Sequence, residues 1–276
     1  MPKKNLSSSG QTGPLSVGNI VSASLRIYRD HFKSYFGLAF VATLWLLVPI
    51  YGWAKYSAIL ALISRLAFGE VREKPETISD ARREVNPRMW RFLGAGILTF
   101  LIYIGVYVAG SIAIAILAAG AAAIFGQNSV AIAALLVVVT VIALLIIYIR
   151  IISRLLIVEL PLAMENNIGA RSAIGRSWEL TKGSVGRIQW IVFVGILVSL
   201  PITIVVQLLT ASVQTVLRAV LGAESGIFFL VYYLLILLLS FGSGALVTPF
   251  WQAMKAIIYY DLRSRKEGLG LQMRKR

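Results

Sequence analysis

The chain has 276 residues, of which 58% are hydrophobic and 14% charged, and its mean hydropathy is +0.80. A soluble domain has about 45–50% apolar and about 25% charged residues, so this composition excludes an ordinary soluble protein and predicts a polytopic membrane protein. Cysteine is absent, which excludes disulfides, thiolate metal sites and thiol nucleophiles. The net charge of +15 predicts contact with anionic headgroups rather than nucleic acid, because the basic residues flank apolar segments.

The basic residues also predict a topology. Of the 27 Lys and Arg residues, 25 lie in residues 1–34, 65–91, 150–187 and 255–276. Because Lys and Arg beside membrane segments remain on the cytoplasmic side, an even number of crossings must separate each neighbouring pair of basic stretches. Long apolar runs imply helices, since backbone groups in lipid must be satisfied within the segment. The sequence therefore predicts an all-α transmembrane bundle with about six spans in three hairpins and both termini cytoplasmic.

The N-terminal part is expected to lie outside the bundle. Residues 1–14 are rich in Ser, Gly and Lys and predict a flexible arm. Residues 15–34, with Ser16 as the candidate N-cap, repeat apolar side chains at helical spacing, which predicts an amphipathic helix in the membrane interface. The only histidine, His31, lies on this helix, and one histidine without cysteine cannot form a typical structural zinc site. We therefore expect no catalytic residue, cofactor or metal.

The bundle itself is predicted to occupy residues 35–254. Its first apolar region breaks at Pro49-Ile50-Tyr51-Gly52, which predicts two short, tilted spans at about 34–50 and 53–69. Two full spans need about 20 residues each, so a re-entrant hairpin is the alternative. Lys55 follows the break and is expected to extend to the far interface, or to be a functional candidate if it is held deep in the bilayer.

The two later apolar regions are each long enough for a pair of spans. The spans are expected at about 92–120, 129–152, 188–216 and 227–250. Gly105, Ala109 and Ala113 form a stripe of small residues, which is typical of close helix packing.

Three charged segments connect and follow these spans. A short helix capped by Ser79 is expected in residues 70–91, and a surface helix is expected in residues 163–183. Residues 255–276 are expected to form a basic cytoplasmic tail.

Polar residues follow one face of the fifth predicted span. They recur at intervals of three or four residues, which places them on one side of a helix. The stripe consists of Ser199, Thr203, Gln207, Thr210, Gln214 and Arg218. Polar groups in lipid need partners, so we expect this face to point into the bundle, either as a polar path for a solute or as interhelical hydrogen bonding.

Glu159 lies in an apolar run next to Leu160-Pro161. We expect it to pair with Arg150 or Arg154 at the membrane edge, with a proton relay as the alternative.

Three segments together resemble one family. The N-terminal helix, from Leu15 to Arg29, the central stretch of residues 173–183 and the C-terminal stretch of residues 259–268 are similar to the glycerophosphoryl diester phosphodiesterase membrane-domain family. The resemblance implies a six-span protein of a bacterial inner membrane. Some members are fused to a catalytic barrel, and we expect none here, because the sequence has no room for it.

The two later segments carry candidate contact residues. Arg176 has Glu179 nearby in sequence, and Arg263 has Asp261, so these groups, together with Arg265, are expected to hold the cytoplasmic helix ends together or to bind lipid headgroups or a partner. The sequence thus favours a non-enzymatic membrane protein that organises protein partners or lipids at the cytoplasmic face. The alternative is a small-solute or lipid transporter or channel that uses the polar stripe.

Overall fold

The computed structural model describes residues 15–125, 130–222 and 225–268. Within these ranges the chain is helical and contains no strand. The α-helices are α1 (Val17–Asp30), α2 (Phe32–Trp45), α3 (Tyr51–Val71), α4 (Ile78–Val85), α5 (Met89–Phe125), α6 (Val130–Leu155), α7 (Glu159–Met164), α8 (Ala170–Thr181), α9 (Val185–Leu221) and α10 (Gly226–Glu267), with a short 3-10 turn at Asn86–Arg88. The predicted arm, residues 1–14, and the far end of the predicted tail, residues 269–276, lie outside the described residues.

Among the described residues, four helices are long and apolar enough to cross a membrane. They are α5, α6, α9 and α10, and they correspond to the last four spans that the sequence predicts. The expected pair at about 34–50 and 53–69 is not among them, and the 14 residues of α2 extend only about 21 Å at 1.5 Å per residue. The structure therefore gives an all-helical membrane protein with four candidate spans, where the sequence predicts six.

The buried side chains concentrate at one end of the molecule. There, α1, α7 and α8 pack with the C-terminal half of α3, the start of α9 and the C-terminal half of α10, and we call this region the basal core. Its fully buried members include Ile20, Leu62, Leu160, Ile188 and Tyr259. Away from this region, α5, α6, α9 and α10 expose Leu, Ile, Val and Phe along most of their length, as expected of helices that face lipid.

Helix α1 begins where the sequence predicts but makes different contacts. The Ser16 side chain accepts a hydrogen bond from the Asn19 backbone N–H at 3.1 Å, as an N-cap should. Its apolar residues Ile20, Val21 and Ile27 are buried against α9 and α10. These residues pack on protein, whereas Leu25 of the same helix is exposed.

Helices α2 and α3 form a hairpin whose tip lies next to the start of α5. Gly52 is needed in this tip, because a Cβ there would lie 1.9 Å from the Trp45 carbonyl oxygen, and Ile50 adopts a left-handed φ of 61°. The Tyr51 ring lies 6.5 Å from the ring of Trp90, in the first turn of α5. Lys55 lies over the Tyr51 ring, so its ammonium remains at the tip.

The predicted basic tail is largely part of α10. The helix continues without a break to Glu267, and its residues Ala256, Ile257, Tyr259 and Leu262 are buried in the basal core. Charge alone indicated a solvated tail, but the apolar residues between the charges recur at helical spacing and pack inward.

The charged linkers also differ from the sequence-based expectation. Thr77, rather than Ser79, caps α4, since its side chain accepts from the Asp80 backbone N–H at 3.2 Å. The short surface helix expected between two loops in residues 163–183 is present as α8, and α7 precedes it. A left-handed residue, Asn167 at φ 59°, lies in the connection and allows the sharp turn between them.

The stripe of small residues on α5 does not form the main helix contact. Gly105 and Ala109 are exposed, whereas neighbouring Gly110 is buried against the Leu144 side chain of α6. The glycine that lets the two helices approach thus lies one position after Ala109 and outside the predicted face, because the position of Leu144 determines which face of α5 is covered.

Candidate functional site

The two signature segments meet in an ionic cluster at the basal core. Arg176 of α8 contacts Glu165 at 3.2 Å and Glu267 at the end of α10, and reaches Glu179 at 3.5 Å. Arg263 contacts Glu267 at 2.7 Å. We call these residues, together with Tyr259, the Arg176 clasp. It joins α8 and α10 to the connection that follows α7.

The electrostatics of the clasp favour its charged form. The Tyr259 hydroxyl donates to Glu165 at 2.7 Å, so this carboxylate accepts from both a phenol and a guanidinium. Burial alone would lower the pKa of Arg176, but the hydrogen bonds and charges of Glu165 and Glu267 raise it above its usual value. Arg176 therefore remains ionised and acts as a structural cross-link.

Asp261 belongs to a second cluster, not to a pair with Arg263. Its carboxylate accepts from Arg187 at 2.6 Å and from the Leu15 backbone N–H at 3.2 Å, and it lies 3.0 Å from Arg265. Arg187 also donates to the Leu15 carbonyl oxygen. The expected contact with Arg263 fails because side chains two positions apart on a helix do not face each other. Asp261 thus fixes the start of α1 to α9 and α10.

Two more arginines close the end of α7. Arg65 donates to the Ala163 carbonyl oxygen at 2.8 Å and pairs with Glu76 at 2.7 Å. Arg88 donates to the carbonyl oxygens of Leu162 and Glu165 at 3.0 and 2.9 Å. These guanidinium groups satisfy carbonyls that a short helix leaves without backbone partners.

Glu159 lies in a polar group between helices. The sequence predicts that it pairs with a basic residue, but not which one. The structure pairs it with Lys255 at 3.2 Å rather than with Arg150, which is exposed, or Arg154, which lies over the Trp178 ring. The Ser64 hydroxyl, which carries a single proton, lies within hydrogen-bond distance of Glu159 at 3.2 Å and of Gln252 at 2.8 Å. The position of Glu159 in an apolar run pointed to a partner, but only the packing of α3 against α10 shows which one.

The polar stripe of α9 is not enclosed by the bundle. Thr203, Gln207 and Arg218 are exposed, and Ser199, Thr210 and Gln214 are half-buried. The hydroxyls of Ser199, Thr203 and Thr210 donate to the backbone carbonyl four residues earlier, so they need no partner on another helix. The structure therefore differs from the expectation that this face points inward. Arg218 lies 6.0 Å from the centroid of the Phe228 ring.

Several basic residues at the basal end take no part in these clusters. Within the described ranges they lie within 4 Å of no acidic side chain, and all are exposed. They are Arg82, Arg83, Arg91, Arg171 and Lys182, and we call them the free basic set. The basic residues thus divide into those that cross-link helices and those that remain available to a ligand.

No family model, curated protein or solved structure matches the chain.

Proposed function

We propose that this protein is a non-catalytic integral membrane protein that organises anionic lipids at the cytoplasmic face, with protein partners recruited there as a second possibility. The free basic set carries this proposal. Its members are exposed and have no acidic partner among the described residues, so their charge is available to phosphate groups.

The proposal includes a topology of four spans. The hairpin tip lies beside Trp90, and α5 then continues for 35 residues to Phe125, about 52 Å at 1.5 Å per residue. The tip is therefore far from the side of the molecule where α5 ends. We propose that α2 and α3 enter the membrane from the basal side without crossing it, and that both termini are cytoplasmic. If the chain does not cross the membrane between residues 34 and 65, the basic stretches on either side still lie on the same side, as they would with two crossings.

The alternative of solute transport along α9 has less support. It requires the polar stripe to face other helices, whereas Gln207 is exposed and the stripe hydroxyls bond within α9. The resemblance to the glycerophosphoryl diester phosphodiesterase membrane-domain family remains a proposal that is compatible with a lipid-facing role.

The lipid proposal predicts the effect of neutralising the free basic set. We expect the triple variant Arg82→Gln, Arg83→Gln, Lys182→Gln to bind phosphatidylglycerol about tenfold to a hundredfold more weakly, since each basic residue near an anionic surface contributes about 1 kcal/mol before screening. Binding of the purified protein to phosphatidylglycerol vesicles, measured at low and physiological salt, checks this.

A matched control keeps the charge at the same positions. The variant Arg82→Lys, Arg83→Lys, Lys182→Arg should bind as the wild type does, because an anionic surface responds mainly to charge. Equal vesicle binding by the neutralised and wild-type proteins would refute the lipid proposal. If the neutralised protein instead loses a co-purifying protein while keeping its lipid affinity, the partner possibility is the correct one.

A further inference from the structure

A cleft of about 350 Å³ lies between α3, α5, α7, α10 and the end of α6. This is within the size range of small-molecule sites, which are mostly apolar with a few placed polar groups. Its walls are mainly Leu, Ile, Val, Phe and Ala side chains, and its polar side chains include Thr99, Glu159 and Lys255. The cleft is therefore amphipathic: hydrocarbon walls meet a polar end.

The polar end has unused hydrogen-bonding capacity. Lys255 and Ser64 both bond to Oε1 of Glu159, so Oε2 has no partner among the described residues. The Lys255 ammonium carries three donors and uses one of them within the described chain. The Thr99 hydroxyl is buried and unpaired in the same part of the structure. The Glu159 and Lys255 side chains are half-buried, and the Thr99 hydroxyl is buried without a partner, which is costly. A ligand that bonds to all three groups is therefore favoured.

The charge of this end selects the kind of headgroup. Lys255 and Glu159 neutralise each other, so a ligand with a net negative charge would meet the carboxylate and a cationic one would meet the ammonium. A headgroup with one positive and one negative group matches both, with its cation on Glu159 Oε2 and its anion on Lys255. The apolar walls would then receive part of an acyl chain.

The mouth of the cleft gives lateral access. Phe100 is 60% exposed, and Gly96, one turn earlier on α5, is exposed with open space where a Cβ would lie. Both lie on a helix that is long and apolar enough to span the membrane. A lipid could therefore enter from the side.

We propose that this cleft binds one phospholipid with a net-neutral, zwitterionic headgroup, for which phosphatidylethanolamine is the probe. The inference rests on the proposed membrane placement. It is separate from the anionic-lipid proposal, which concerns the free basic set on the outer surface of the basal end.

The test fills the mouth of the cleft. The purified wild-type chain in mild detergent is titrated with phosphatidylethanolamine and with phosphatidylglycerol of identical acyl chains, and bound lipids are counted by native mass spectrometry. We expect one phosphatidylethanolamine per chain on the wild type. The Gly96→Leu variant should lose it, since the added side chain enters the cleft.

A matched control uses another glycine of the same helix. Gly105 is also exposed with no atom within 4 Å of an added Cβ, and it does not line the cleft, so Gly105→Leu should retain the lipid. Unchanged phosphatidylethanolamine binding in Gly96→Leu would overturn the proposal. So would a wild-type protein that binds phosphatidylglycerol as well as phosphatidylethanolamine, if Gly96→Leu loses both.

A second pair of substitutions tests the headgroup directly. Lys255→Met together with Glu159→Gln removes both charges without leaving one unpaired, and we expect the preference for phosphatidylethanolamine over phosphatidylglycerol to fall about tenfold or more. A preference that persists in a monodisperse double variant would also overturn the proposal. If this variant does not fold, the comparison of Gly96→Leu with Gly105→Leu alone tests whether the cleft binds the lipid. Neither of these negative results would affect the separate proposal that Arg82, Arg83 and Lys182 bind phosphatidylglycerol.

Discussion

At the scale of single residues, the same residue types serve two purposes. Arg65, Arg88, Arg176 and Arg187 are half-buried and bond to carboxylates or to backbone carbonyls of other helices. A guanidinium suits this work because it donates in several directions and remains charged when partly buried. The free basic set has no such partner in the described ranges. Neutralising one of the four cross-linking arginines should therefore lower stability, whereas neutralising the free basic set should weaken lipid binding.

The Arg176 clasp gives a prediction about stability. We expect Arg176→Gln to destabilise the protein by about 1–3 kcal/mol, because Glu165 and Glu267 each lose a charged donor while half-buried. Thermal unfolding in detergent should show a lower Tm. Because Arg176 and Glu267 act on each other, the double variant with Glu267→Gln should lose less than the sum of the two single variants.

Arg171 provides the control for this prediction. It lies on the same helix, is exposed, and has no acidic partner among the described residues, so Arg171→Gln should leave the Tm almost unchanged. Equal effects of the two substitutions, or strictly additive effects of Arg176→Gln and Glu267→Gln, would contradict the clasp.

The sequence identified the residues of these clusters better than their partners. It singled out Arg176, Asp261 and Arg263 and paired each with a neighbour in sequence. The pair of Arg176 with Glu179 is present at 3.5 Å, whereas that of Arg263 with Asp261 is not. The observed partners of Arg176 include Glu165 and Glu267, which are 11 and 91 positions away. Separations of this kind depend on how α8 packs against α10, which local spacing does not encode.

At the scale of helices, the crossing of α9 and α10 depends on one glycine. Gly195 is buried, and a Cβ there would lie 2.9 Å from the Met254 side chain and 3.2 Å from the Trp251 ring. Small residues allow helices in a membrane to approach closely, so this position determines how near the two axes come.

Overpacking this crossing should separate the helices. We expect Gly195→Val to destabilise the protein by roughly 1–3 kcal/mol, because the added methyl groups displace the Met254 and Trp251 side chains. The Tm in detergent measures this. Gly186→Val, on the same helix at an exposed position with no atom within 4 Å, serves as the control. If Gly195→Val is as stable as Gly186→Val, the crossing of α9 and α10 accommodates a larger side chain and the prediction is wrong.

Helix ends were more predictable than helix partners. The Ser16 cap and the break at Pro49–Gly52 follow from side-chain and backbone preferences that act locally, and both are present. The continuation of α10 through Lys255 was not predicted, since the burial of that charge depends on Glu159 from another helix.

At the scale of the whole molecule, the charge map and the hairpin contact together support the proposed arrangement. The basic stretches require an even number of crossings between residues 34 and 65, and parity alone cannot distinguish zero from two. Trp90 adds the missing information because it places the hairpin tip next to the first turn of α5. The proposed arrangement of four spans and a basal hairpin agrees with both observations.

The most direct test of this account is the accessibility of single cysteines, which the cysteine-free chain allows without background. Cysteines replace Leu47 at the hairpin tip, Lys182 at the basal end and Ser225 at the start of α10, and intact cells are treated with a membrane-impermeant maleimide before and after permeabilisation. We predict that Ser225→Cys reacts in intact cells, that Lys182→Cys reacts only after permeabilisation, and that Leu47→Cys never reacts in intact cells. Labelling of Leu47→Cys in intact cells together with Ser225→Cys would contradict the four-span arrangement.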